Sequence, residues 1–375
     1  MTMAKTIWAN SGDSHLVEPD DLFTTSLPAD LASRMPRSVK DDDGRWETVY
    51  VDGAEFRRRM PRPRMLVDPD TGKTVDERAP HANDPVLRLT DLDEEGIWAE
   101  LVYPSIGIWT SSINDPGLLR EGMRAINDWA IGYQNSSLRY VCTASMPLLQ
   151  PSDTVAEIER AARLGYRAAF FPVAPPGADD WHAPVWDEVY AALEANGIVL
   201  CFHIGTEPHD ATTSHGQYYR GPGGALLNYV ETTYGGQRAA TKLIASGVFD
   251  RFPELKVIVS EGGATWGPFL ADRLDEGYRQ HASAVRPLLS KLPSEYLYTN
   301  VYASFQHDRS AIAAVTAMGW QNVCWGSDYP HIEGTYGHTQ KTLHELFDDV
   351  DEATRRRLTV GAFEELFPHV PPAPD

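Results

Sequence analysis

Hydrophobic and polar positions fall in blocks along most of this chain. From about residue 86 onward, short continuous apolar runs are separated by longer amphipathic stretches. AELVYP (99–104), RYVCTASMP (139–147), RAAFFP (167–172), GIVLCFH (197–203), LKVIVSE (255–261), YTNVYASF (298–305) and NVCWGSD (322–328) each read as a strand. Continuous apolar runs mark strands buried on both faces, the habit of parallel sheets. Between them, 117–135, 153–165, 183–197, 237–253, 264–282 and 310–319 carry apolar residues at helical spacing, and further helices are expected around 338–347 and over 351–366. With the opening IWANSGDSH, eight strands alternate with helices.

That alternation predicts an α/β fold, a (β/α)8 TIM-type barrel with a long insertion after strand 1, built as a single domain over residues 1–375. No GxGxxG follows the first strand, which argues against a dinucleotide-binding open sheet. Two stretches break the rhythm. Residues 16–85 are rich in Pro, Arg and Asp, as in RRRMPRPRMLVDPDTG (57–72), and are read as an excursion over the barrel mouth. Residues 205–236, rich in Gly, Thr and Tyr, form a second excursion.

Charge narrows the partners. Acidic residues number 53 against 33 basic, for a formal charge of −20. Such a surface repels nucleic acid and anionic membrane, so the expected partner is a small molecule. No run approaches the ~20 apolar residues of a membrane-spanning helix, and MTMAKTIWANSG has no apolar core of a signal peptide. Cys142, Cys201 and Cys324 lie in apolar runs without CxxC spacing, as expected of free thiols in a reducing cytoplasm.

The candidate chemistry sits where strands stop. Asp13 and His15 end the first strand, His203 ends GIVLCFH, Glu261 ends LKVIVSE, and Asp328 ends NVCWGSD. In a parallel barrel the C-terminal strand ends converge on one mouth. Residues i and i+2 of a strand point the same way, so Asp13 and His15 face one side together. A carboxylate at the end of a buried strand is costly unless paired or bound to a cation. The expected ligands of one divalent metal are therefore Asp13, His15, His203 and Asp328. Glu261, Asp328 and His331 are the candidates for proton transfer, with Glu261 open as base, as acid or as an extra ligand. Trp266, Tyr329 and Arg58 are candidate substrate contacts, with rim packing as the alternative for the two aromatics and a solvated run as the alternative for Arg57–Arg58–Arg59. Glu18 either supports the first-strand ligands or caps a turn. His209 and His215, in the second excursion, read as solvated. No GxSxG elbow is present, and RAAFFP carries no lysine to bridge two metals.

Several segments together resemble the amidohydrolase superfamily, specifically its amidohydrolase-2 branch, which includes aminocarboxymuconate-semialdehyde decarboxylase-like enzymes. They are DSHLVEP (13–19), LTDLDEEGIWAELVYPS (89–105), WDEVYAALEANGIVLCFHIG (186–205), FPELKVIVSEGGATWGPFLADRLDE (252–276), LPSEYLYTNVYASF (292–305) and WGSDYPHIEGT (325–335). The resemblance implies a (β/α)8 barrel with one divalent metal, zinc or manganese. His203 and Asp328 match its fifth- and eighth-strand ligands. The chain departs from it twice: Asp13 stands where the first histidine of HxH is usual, and Glu261 stands in place of the sixth-strand histidine. A donor set this rich in carboxylate also tolerates magnesium. The resemblance further implies a homodimer. It accommodates decarboxylation of a small aromatic or cyclic carboxylic acid, which the aromatic and arginine residues favour. It also accommodates hydrolysis of a cyclic amide, imide or lactone, and a non-catalytic barrel.

Overall fold

The computed structural model describes residues 5–42, 46–59, 65–67, 74–76, 79, 81–177, 179–207, 219 and 221–374. Eight parallel strands lie side by side in chain order: β1 (Ala9–His15), β2 (Ile97–Tyr103), β3 (Tyr140–Ser145), β4 (Ala168–Pro172), β5 (Val199–His203), β6 (Val257–Ser260), β7 (Val301–Phe305) and β8 (Val323–Trp325). Every residue of β1, β3, β4, β5 and β6 is buried, as continuous apolar runs require of strands covered on both faces. The helices between them include α1 (Arg88–Glu95), α2 (Pro116–Gln134), α3 (Pro151–Leu164), α4 (Asp187–Ala195), α5 (Gly224–Ala245), α6 (Trp266–Gln280), α7 (Arg309–Thr316) and α8 (Thr339–Phe347). The start of α2 shows how the sequence sets a boundary. Asp115 accepts from the N–H groups of Gly117 and Leu118, and Pro116 occupies the first turn, where its missing donor costs nothing.

The barrel closes where β1 meets the segment after β8. Asp328 N–H donates to the carbonyl of Asp13 (2.8 Å), and His15 N–H donates to that of Tyr329 (2.6 Å). Gly326 permits this approach, because a Cβ there would lie 2.9 Å from the Cβ of Asp13. Inside the barrel, Leu101, Tyr103, Phe170, Cys201, Ile258 and Tyr302 pack together, and Phe363, Leu366 and Phe367 seal the end opposite the mouth.

The eightfold alternation holds, with several boundaries moved. Helix α5 begins at Gly224, inside the second excursion, rather than at 237. Its first half exposes Leu226, Leu227, Tyr229 and Val230, so no apolar stripe announces it. Tyr298–Asn300 finish a helix (Pro293–Asn300) instead of starting β7. Strand β8 stops at Trp325, and Asp328 stands in the turn beyond it.

The first excursion is more ordered than its composition suggests. Arg37–Lys40, Trp46–Val51 and Ala54–Arg59 form an antiparallel sheet, and Met65–Val67 pairs with Thr74–Asp76. Asp52 and Gly53 both have positive φ (44° and 81°), the conformation a two-residue Asp-Gly hairpin turn demands. This signal was present in the sequence and went unused. The excursion packs through Leu22, Phe23, Met35 and Val51 onto Ile113, Leu118, Leu119 and Met123 of the segment after β2.

Candidate metal centre

Four side chains converge at the mouth: Asp13 and His15 from β1, His203 from the end of β5, and Asp328 from the segment after β8. His203 Nε2 lies 3.3 Å from Asp13 Oδ1, and His15 Nε2 lies 3.8 Å from Asp13 Oδ1 and 3.4 Å from Asp328 Oδ1. All four residues are buried, Asp328 to 1% exposure. Yet Asp13 Oδ1, His15 Nε2, His203 Nε2 and Asp328 Oδ2 make no hydrogen bond to any described residue. Buried polar atoms are normally satisfied, and leaving several unsatisfied at one point is costly. The orientation of His203 gives the reason. Its Nδ1–H donates to the Ile204 carbonyl (2.9 Å), which turns Nε2 toward the carboxylates of Asp13 and Glu261. Asp13, His15 and His203 bring ligand atoms within 4.8 Å of one another, as do His15, Asp328 and His331, and these two groups sharing His15 fit a divalent cation, with Glu261 Oε2 3.4 Å from His203 Nε2.

The backbone is strained where these groups are delivered. Glu261 (φ 61°) and Asp328 (φ 55°) adopt left-handed conformations that cost a non-glycine residue about 1–3 kcal/mol. Glu261 is held there by a bond from its N–H to Ser304 Oγ (2.9 Å), and Asp328 by its bond to Asp13.

Electrostatics follow from crowding. Burial, then the charge of Asp328, pushes the Glu261 carboxyl well above the usual carboxylate range. Burial, then Asp13 and Glu333, does the same to Asp328. Burial works against the charged form of His203, but Asp13 and then Glu261 outweigh it and raise its pKa to about 10. His15 goes the other way, lowered by burial and by His331 and His203. His331 stacks on the His15 ring (3.9 Å between centroids) with its Nδ1 2.8 Å from Asp328 Oδ1.

The remaining sequence candidates make other contacts or lie outside the described residues. Tyr329 is buried behind β1, its hydroxyl donating to Asp91 Oδ2 (2.6 Å) and its ring under the Arg88 guanidinium (4.4 Å), so its contacts are with protein packing. The indole of Trp266 donates to the Gly263 carbonyl (2.7 Å) and its ring packs on Trp320. The Arg58 side chain lies outside the described residues, as do His209 and His215. Its neighbour Arg57 pairs with Asp41 (2.7 Å) and covers the Trp46 ring. Glu18 caps the short helix Ile106–Ser112, accepting from Ser105 N–H (2.9 Å) and Ile106 N–H (3.2 Å).

Three residues went unnoticed in the sequence. Glu333 comes within metal-binding reach of Glu261 and Asp328. Its only signal is an acidic residue in the loop after the last strand. Tyr103 packs against the His203 ring (4.9 Å) and donates to Ser260 Oγ (2.7 Å), which donates to the Gly12 carbonyl (2.8 Å). Arg88, wholly buried, binds both oxygens of Glu100 (2.9 and 3.1 Å) and donates to the His15 carbonyl (2.7 Å). No local pattern distinguishes Arg88 from a surface arginine at a helix start.

The family model for amidohydrolases, Amidohydro_2, matches residues 106–368. The chain belongs to the amidohydrolase family. Over 124 residues this amidohydrolase is 32% identical to a Dictyostelium discoideum protein named 2-amino-3-carboxymuconate-6-semialdehyde decarboxylase, a match covering 33% of this chain and about a third (34%) of that protein's length. It is 24% identical over 308 residues to gamma-resorcylate decarboxylase of Polaromonas sp. (strain JS666), covering 75% of this chain and 86% of the relative. Among solved structures it shares its fold with a dihydroxybenzoic acid decarboxylase from Polaromonas sp. JS666 with bound manganese and the inhibitor 2-nitroresorcinol. That likeness has a TM-score of 0.63 and 18% identity, and covers 96% of this chain and 97% of the other. Among the described residues, no helix is long and apolar enough to cross a membrane.

Proposed function

We propose that this amidohydrolase is a metal-dependent carboxy-lyase that decarboxylates a small, ring-hydroxylated aromatic carboxylic acid without an oxidant. The observation that carries the reading is the set of buried, unsatisfied donor atoms on Asp13, His15, His203 and Asp328. The names of the relatives supply the substrate class. These four residues would hold one divalent ion, manganese or zinc, with magnesium tolerated by the carboxylates. Bound there, the ion would supply Lewis-acid stabilisation of the negative charge on a carboxylate substrate.

The chain's own residues then divide the proton chemistry. Asp328 must be ionised to serve as a ligand. Glu261 is its neighbour in a buried cluster, and two like charges in one desolvated space resist ionising together, so Glu261 keeps the proton. Glu261 delivers that proton to the ring carbon bearing the carboxylate. The bond from that carbon to the carboxylate breaks, its electrons restore the aromatic ring, and carbon dioxide leaves. Glu261 is left as a carboxylate and regains a proton from water. His331, stacked on His15, steadies Asp328 and faces the same space.

The wider expectations belong to the same proposal. Buried thiols at Cys142, Cys201 and Cys324 fit a reducing cytoplasm. A homodimer is the expected assembly, which light scattering on gel-filtered protein tests.

The direct experiment incubates manganese-loaded protein with ring-hydroxylated benzoic acids and follows carbon dioxide and the decarboxylated product. Release of both supports the reading. Ring opening or amide hydrolysis of alternative substrates with no carbon dioxide would replace it with a hydrolase.

A further inference from the structure

A recess enters the mouth beside the metal centre, on the side of β3 and β4, and the reaction above gives it no role. Its walls come from Ile108 in the short helix after β2, Leu119 and Met123 in α2, Met146 just past β3, and Phe170 and Pro172 in β4. Its free interior is small, about 20 Å³, the scale of a single small group.

Strand register ties it to the metal site. Pro172 pairs with His203 and Phe170 with Cys201 across β4 and β5. Residues paired in a parallel sheet point to the same face, so Phe170 and Pro172 face the barrel interior on the side where His203 presents its ring. The Phe170 ring lies 6.2 Å from that of Tyr103, which itself packs 4.9 Å from the His203 ring.

The chemistry of the walls is one-sided. Thr110 and Ser111 are the polar side chains among them. The Thr110 hydroxyl donates to the Gly107 carbonyl, and that of Ser111 to the Ile108 carbonyl (3.2 Å). Both donors are therefore used within their own helix. Among the described residues, no charged one lines the recess. Such a space rewards a hydrocarbon group and penalises a hydroxyl or carboxylate, which would lose its hydration with nothing to replace it. Its narrow interior suits a short alkyl arm better than a second ring. Met123 and Met146, unbranched and adaptable, allow a close fit around such an arm.

We propose that this recess is a specificity subsite for a short alkyl substituent, methyl to ethyl in size, on the aromatic ring of the acid. The inference rests on the proposed carboxy-lyase reading for the ring itself, but concerns binding and not the chemical step.

The test measures binding of unsubstituted, methyl- and ethyl-substituted 2-hydroxybenzoates to manganese-loaded protein by calorimetry, with carbon dioxide release followed separately. At one ring position an alkyl group is expected to tighten binding about tenfold or more, the scale of one carbon in an apolar pocket. Met123→Phe, which fills the recess, should remove that advantage. Leu119→Ala, which enlarges it, should move the optimum from methyl toward ethyl. Opposite shifts from two substitutions are not an outcome of simple misfolding. Equal affinities at every ring position, an advantage unchanged by Met123→Phe, or no binding by any of these acids would overturn the subsite. Alkyl-dependent binding without carbon dioxide release would keep the subsite and overturn the carboxy-lyase reading.

Discussion

The backbone N–H of Asp328 donates to the carbonyl of Asp13 at 2.8 Å, so the two carboxylates of the candidate metal centre are joined through their main chains. The same bond helps to close the barrel. Closure and ligand geometry are therefore one feature, and a change to either residue has separable local and global effects. Asp328→Asn keeps the backbone bond but removes a charge and a donor. The barrel is expected to persist by circular dichroism, while affinity for manganese falls about 10- to 100-fold or more, read by metal titration and elemental content.

Gly326 sits at the tightest point of that closure. A Cβ there would lie 2.9 Å from Asp13 Cβ and 3.3 Å from Asp13 N. Gly326→Ala should destabilise the fold by about 1–3 kcal/mol, the usual cost of overpacking. It should also weaken metal binding, because the side chain displaced belongs to Asp13, a proposed ligand. Urea unfolding and metal titration measure the two effects, and loss of stability without loss of affinity would separate them.

Arg88 supports the centre from behind. It neutralises the fully buried Glu100 and donates to the His15 carbonyl. Arg88→Ala leaves a buried carboxylate without its partner and is expected to cost about 3–5 kcal/mol in equilibrium unfolding. Arg88→Lys restores charge but not the two-pronged geometry, and should recover only part of that loss.

His203 sets a pH dependence whose sign can be worked out. Its pKa in the metal-free protein is raised to about 10, above the ordinary value of 6.5. The stability this group contributes is therefore complete below about pH 6.5 and lost as pH rises toward 10. Metal binding requires the neutral ring and so expels its proton. Calorimetry at pH 7 in buffers of different ionisation enthalpy should show release of about one proton or more per ion. Affinity should rise with pH between about 7 and 10. Binding heats independent of buffer would contradict this.

Glu261 is separable from the ligands by its role. Glu261→Gln is expected to reduce carbon dioxide release about 10²- to 10⁴-fold, the range for loss of a positioned acid, with metal content unchanged. Loss of metal in this variant would make Glu261 a ligand instead.

What the sequence determined by itself is the local part. Continuous apolar runs and helical spacing specify strands and helices because both depend on neighbours a few residues away. For the same reason, residues 13, 15, 203, 261 and 328 could be placed at strand ends without knowing what they face. Only the tertiary structure decided which of them meet. Asp13 and Asp328 are brought together by a closure whose hydrogen bonds join the two ends of the chain, and no periodicity encodes that register. The direction of Tyr329 was decided the same way, by a buried arginine and Asp91 rather than by its neighbours in WGSDYPH. Glu333 and Arg88 were equally illegible, because the burial and pairing of a charged side chain depend on partners that folding alone supplies.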